Sequence, residues 1–155
     1  MPGRDRLPWA EAAERSAAPS LPAATWSRDG NMAVRHRVEV VRVIDGDTFE
    51  ARVHLWPGLE MMTRVRLRGI DAPELKAACA EESRMAEAAS EALRVQLADG
   101  DVTIFNIGPD KYNGRVVADA ATRRTPSVSA ALLSAGYARP YQGGRRSGWC
   151  SASTR

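Results

Sequence analysis

The sequence predicts an α+β chain, mainly β: a small five-stranded barrel carrying two helices. Three observations predict it. Apolar and polar residues alternate through Thr48 to Leu55 and again through Thr63 to Gly69, the two-residue period of a half-buried strand. Apolar residues recur at three- and four-residue spacing from Glu81 to Ala98, the period of a helix with one buried face. Turn residues then divide the chain into three strands, a helix, two strands and a helix.

Residues 1–34 are rich in Ala, Pro, Ser and charge without a sustained period, and read as a disordered leader. His36 to Ile44 is β-branched and extended, and Asp45-Gly46-Asp47 supplies the turn. In the second strand Phe49, Ala51, Val53 and Leu55 oppose Thr48, Glu50, Arg52 and His54. After Trp56-Pro57-Gly58 a third strand sets Val65 and Leu67 against Arg64, Arg66 and Arg68. Met85, Ala88, Ala89, Ala92 and Leu93 mark the buried stripe of the long helix, with Gly100 at its end. Val102 to Ile107 and Arg115 to Ala121 form a second strand pair around the turn from Gly108 to Gly114. Thr125 and Pro126 start a short helix that Gly136 stops, and the sequence from Tyr137 onward reads as irregular. This order is that of a five-stranded barrel of the oligonucleotide-binding kind. The domain is placed at 35–142, with a short tail at 143–155.

The chain has 155 residues, room for one independently folding domain. Twenty-two Lys and Arg against 19 Asp and Glu leave a net charge of +3, which suits a polyanionic partner without demanding one. No apolar run approaches the length of a membrane span. The charged N-terminus lacks the apolar centre of a secretory signal, so the chain is cytoplasmic unless an upstream signal was omitted; with one it is periplasmic or extracellular. Cys79 and Cys150 are too few for a disulfide framework and lack metal-ligand spacing; two free thiols and one long-range bridge both remain open.

Four short pieces carry the chemistry. Asp45-Gly46-Asp47-Thr48 by itself is a turn, Asp71-Ala72-Pro73-Glu74 by itself is another, and Arg64, Arg66 and Arg68 by themselves are a solvated strand face. Asp110-Lys111-Tyr112-Asn113-Gly114-Arg115 adds a further arginine beside a turn. Their joint occurrence is far more specific than any part. Two carboxylates to hold a hard cation, one to work on water and two arginines to grip a phosphate make a phosphodiester-cutting site. Neither His36 nor His54 has a metal-binding partner nearby in sequence, and Glu50 and Glu60 read as surface charges.

From about Val38 to Tyr141 the sequence resembles the staphylococcal nuclease, or thermonuclease-like, family. The DGDT turn, an arginine five residues before Asp-x-Pro-Glu, a DKY-x-R turn and a late helix ending in Gly appear in order. The resemblance implies a calcium-dependent nuclease acting on DNA and RNA with little sequence preference, working as a monomer. A barrel that binds nucleic acid or protein without catalysis is the alternative. By position Asp47 and Asp71 match the metal carboxylates, Ala72 lends the metal its backbone carbonyl, and Asp45 lies behind as a supporting charge. Glu74 matches the carboxylate that orients or deprotonates water, Arg66 and Arg115 the pair that bind phosphate, and Lys111 and Tyr112 contacts to the substrate. Two departures stand out: Asn113 lengthens the DKY turn by a residue, and the family's long C-terminal helix is missing. In that fold the start of the long helix and the chain's end come close, so a Cys79–Cys150 bridge is expected to anchor the tail, with Trp149 covering the same part of the barrel. Closing so long a loop is worth about 4 kcal/mol, and only in an oxidising compartment.

Overall fold

A computed structural model describes residues 33–112 and 114–150. The expectations for the leader, Trp9 and Trp26 included, and for Asn113 fall outside them. Strands β1 (Arg35–Asp45), β2 (Thr48–Trp56) and β3 (Leu59–Leu67) form an antiparallel meander. A two-residue strand β4 (Ile70–Asp71) precedes helix α1 (Ala80–Ala98); then come β5 (Thr103–Pro109), β6 (Arg115–Ala121), helix α2 (Val128–Ser134) and β7 (Arg139–Pro140). The barrel closes in the order β1-β2-β3-β6-β5, with β6 parallel to β3 and β5 antiparallel to β1. This is the five-stranded, two-helix α+β barrel that the sequence predicts. Among the described residues no helix is long and apolar enough to cross a membrane.

The alternation sorts side chains as a barrel wall requires. Phe49, Ala51, Val53, Val65 and Leu67 fill the interior, and each large one stabilises the fold by roughly 1.5–3 kcal/mol. Thr48 lies on the opposite face yet is buried, because its hydroxyl donates to Asp47 Oδ1 at 2.8 Å. Helix α1 is rotated from the expected stripe. Met85 and Ala88 face solvent, and the buried line is Glu82, Ala86, Ala89, Ser90, Leu93 and Leu97. In so alanine-rich a segment several stripes fit the helical period, and packing against β1 selects one. Ser127, not Thr125, caps α2 by accepting the Ala130 N–H at 3.1 Å, while the Thr125 hydroxyl donates to Gln96 Oε1.

The stretch from Tyr137 onward is less irregular than its composition implies. Pro140 pairs with Ile70 and Arg139 with Asp71, and the chain then turns back to α1. There Cys150 is bonded to Cys79, the N-cap residue of that helix, with Cα atoms 6.1 Å apart. Trp149 lies over the Arg139 guanidinium at 3.6 Å.

Candidate active site

Asp47 and Asp71 meet at one end of the barrel because β2 begins where β3 and β4 finish. Thr48 pairs with Arg66, which aligns the DGDT turn with the end of β3. The Leu67 N–H donates to the Asp47 carbonyl at 2.8 Å, and the Ala72 N–H donates to Asp47 Oδ2 at 3.0 Å. Gly46 makes the approach possible: a Cβ there would sit 2.5 Å from the Ala89 Cβ and 3.0 Å from that of Ala72. The glycine of the turn therefore serves close packing against α1, a role its turn chemistry does not disclose.

Both aspartates are buried, Asp71 with 2% of its surface exposed. Arg66 supplies the compensating charge, its Nη1 3.5 Å from Asp47 Oδ2 and its Nη2 3.9 Å from Asp71 Oδ1. The same Nη1 donates to the Leu67 and Ile70 carbonyls at 2.9 and 2.8 Å, which fixes the guanidinium between the carboxylates. Half-buried Asp45 accepts the Leu75 N–H at 3.3 Å and so steadies the turn that carries Glu74. Burial pushes the Asp45 carboxyl up; the Leu75 hydrogen bond opposes that, and the nearby charges of Asp47 and Glu74 add to it.

Arg115 stands apart from this cluster. Arg64 pairs with Arg115 and Arg66 with Val117, so Arg115 lies one strand over and two residues along from Arg66, on the same face. Its Nε is in contact with Asp110 Oδ2 and its guanidinium lies 4.6 Å from the Tyr112 ring centre. Lys111 Nζ approaches that ring at 5.2 Å. Thus Asp47, Arg66, Asp71, Ala72 and Glu74 form one group, and Asp110, Lys111, Tyr112 and Arg115 a second. An apolar cavity of about 480 Å³ lies away from the carboxylates, at the opposite mouth of the barrel, lined by Val53, Leu55, Met61 and Ile104 and reaching Tyr112 and Arg115.

Arg146, which no sequence motif marks, completes the first group. Its Nη1 contacts Glu74 Oε1, its Nη2 contacts Asp71 Oδ1, and Nη2 also donates to the Ala72 carbonyl at 3.2 Å. Burial opposes the charge on Arg146, but the Asp71 and Glu74 carboxylates outweigh it and raise the guanidinium pKa above its ordinary value. A signal for it was present. A Cys79–Cys150 bond tethers Arg146, four residues before one cysteine, to the same stretch of chain as Glu74, five residues before the other, and so brings the two within reach without fixing their contact.

The sequence model described as staphylococcal nuclease homologue matches residues 64–148, more than half of the chain. The chain belongs to that family. No curated protein matches it. The region matched to the staphylococcal nuclease homologue family starts in β3, so it includes Arg66, Asp71, Glu74, Arg115 and Arg146 while the Asp45–Asp47 turn precedes it. Membership points to nuclease chemistry or nucleic-acid binding, and nucleases of the family generally depend on a metal.

The residues present fit a hard divalent cation. The donors are all oxygens: two aspartates and the Ala72 carbonyl. Asp71 Oδ1 is buried, and among the described residues its ion-pair contacts are to the Arg66 and Arg146 guanidinium groups, so a cation of either kind suits it. Among the described residues the one cluster of three side chains with metal-type ligands is Cys79, Glu82 and Cys150, whose sulfurs are joined to each other.

Proposed function

We propose that the protein is a calcium-dependent nuclease that hydrolyses phosphodiester bonds of DNA and RNA with little sequence preference. The observation that carries this reading is the meeting of two buried carboxylates, Asp47 and Asp71, with the Ala72 carbonyl at one end of the barrel, an all-oxygen donor set beside Glu74 and Arg66. Asp47, Asp71 and the Ala72 carbonyl would hold the metal. Calcium, when bound, supplies positive charge to the phosphate oxygens and to an attacking water.

The chain's own residues supply the rest. Arg66, fixed by two backbone carbonyls, presents charge to the equatorial oxygens without reorganising as charge builds there. Glu74 is half-exposed, so its carboxylate reaches solvent and takes the proton of the attacking water. Arg115 lies on the same barrel face, within one strand of Arg66, and grips the phosphate once it exchanges Asp110 for it. Lys111 and the exposed Tyr112 meet the strand beyond the scissile bond, the tyrosine by stacking on a base. The Cys79–Cys150 bridge supports a place of work outside the reducing cytoplasm.

A second reading, a binding barrel without catalysis, draws on one observation: Arg115 is engaged by Asp110 rather than turned to the carboxylates. Incubating the purified protein with denatured DNA, in calcium and in excess chelator, separates the two. Hydrolysis that stops in chelator is expected. Binding without hydrolysis supports the second reading, and equal cleavage in both conditions removes the metal from the mechanism.

A further inference from the structure

The loop from Tyr141 to Cys150 is held at both ends and carries Arg146 between them. At its start the Tyr141 N–H donates to the Gly69 carbonyl at 2.9 Å, continuing the β4–β7 pairing. At its end Cys150 is covalently joined to Cys79. Just before the loop, in β7, Arg139 acts as a post: its Nη2 donates to the Ser147 and Gly148 carbonyls at 2.8 and 2.9 Å, and Trp149 stacks on its guanidinium. Gly143 and Gly144, with φ of +98° and +83°, make the reversal that the Tyr141 hydroxyl secures by donating to the Gly144 carbonyl at 2.6 Å.

Arg146 is thereby aimed at Asp71, the Ala72 carbonyl and Glu74. Those are two of the three groups assigned above to the metal, together with the carboxylate assigned to water. A guanidinium and a divalent cation on the same Asp71 oxygen and Ala72 carbonyl repel each other at close range in a buried site, so each weakens the hold of the other.

We propose that Arg146 is an internal cation that competes with the divalent metal for this site, and that the bridged loop 141–150 holds it there. Opening the Cys79–Cys150 bridge then shifts the site toward the metal. A dithiol reductant supplies the two electrons and two protons, leaving thiols at Cys79 and Cys150 and itself becoming a disulfide. The inference rests on the metal reading of the site.

Calorimetric titration of calcium tests it without recourse to catalysis. The proteins are the wild type, Arg146→Gln and Cys150→Ser, with the first two titrated both with and without a dithiol. Arg146→Gln is expected to bind calcium roughly tenfold or more tightly than the oxidised wild type, since charge-assisted contacts to carboxylates are lost. Reduced wild type and Cys150→Ser are expected to fall between, and the dithiol is expected to leave Arg146→Gln unchanged. Equal or weaker binding by Arg146→Gln would overturn the competition. A dithiol effect of the same size in Arg146→Gln as in the wild type would show that the bridge acts by another route and overturn its link to Arg146. Absence of calcium binding in every protein, with cleavage indifferent to chelator, would instead remove the metal reading itself and the inference with it.

Discussion

Two regions converge on the same carboxylates and are built by different means. Asp47, Arg66 and Asp71 are positioned by strand register, the Ala72–Asp47 hydrogen bond and the close contact of Gly46 with α1. Arg146 arrives on a loop anchored by a two-residue strand pair, one stacked arginine and a disulfide. A slip of one residue in β2 or β3 would turn that strand's core side chains outward, so the first region is held by the barrel wall itself. The loop has no such coupling, and its position depends on a few anchors that can be removed one at a time.

The largest expected effect falls on the loop's anchor. Replacing both Cys79 and Cys150 by Ser removes a crosslink between residues 71 apart and should lower stability by about 4 kcal/mol, read from denaturant midpoints of oxidised protein. A change well under 1 kcal/mol would mean that the loop is held by its strand pair and the Arg139–Trp149 stack alone. Arg66→Ala acts on the other region: turnover should fall about 10²–10³-fold, or roughly 2.7–4 kcal/mol in the transition state. Steady-state kinetics on denatured DNA check this, and retention of normal turnover would assign the phosphate to other cations.

Gly46→Ala forces a methyl group against Ala89 and Ala72 and should cost roughly 1–3 kcal/mol by thermal or chemical unfolding. Because it pushes the Asp47 turn away from α1, calcium affinity should weaken with it. A neutral effect would show that the turn is free to shift, contrary to the rigidity assigned to this region.

The smallest effect concerns Asp45. Its folded-state pKa lies above the ordinary 3.8, so the folded protein holds this proton more tightly than the unfolded chain. Stability is therefore favoured below 3.8 and is lost as pH rises from there through the raised value. Asp45→Asn keeps an acceptor for the Leu75 N–H and removes that loss, so its stability relative to wild type should improve across that pH window. A constant difference between the two proteins from acid to neutral pH would contradict the shift.

The same division explains what could be read in the sequence. Alternation in β2 and β3 carries its own register, so the barrel wall and the Arg66 corner were legible from Phe49, Ala51, Val65 and Leu67. The Cys79–Cys150 pairing followed from the family resemblance and the structure agrees with it. The buried face of α1 differs from the expected stripe because alanine spacing leaves several faces possible, and only contact with β1 and Gly46 chooses among them. Thr125 and Ser127 both have a capping side chain, and only backbone geometry selects Ser127. Arg146 carried no local pattern at all. Its position is set by a covalent link to a helix far earlier in the chain, and composition marked its surroundings as featureless.

Turnover of denatured DNA by Glu74→Gln, with the thermal midpoint measured in parallel, tests most directly whether this acidic corner is catalytic. Glu74 is 47% exposed at its side chain and contributes no volume to the core, so the substitution changes chemistry rather than packing. The expected result is a loss of at least about 10²-fold in turnover with an almost unchanged midpoint. Near-wild-type turnover by a folded Glu74→Gln protein would contradict the assignment of the site.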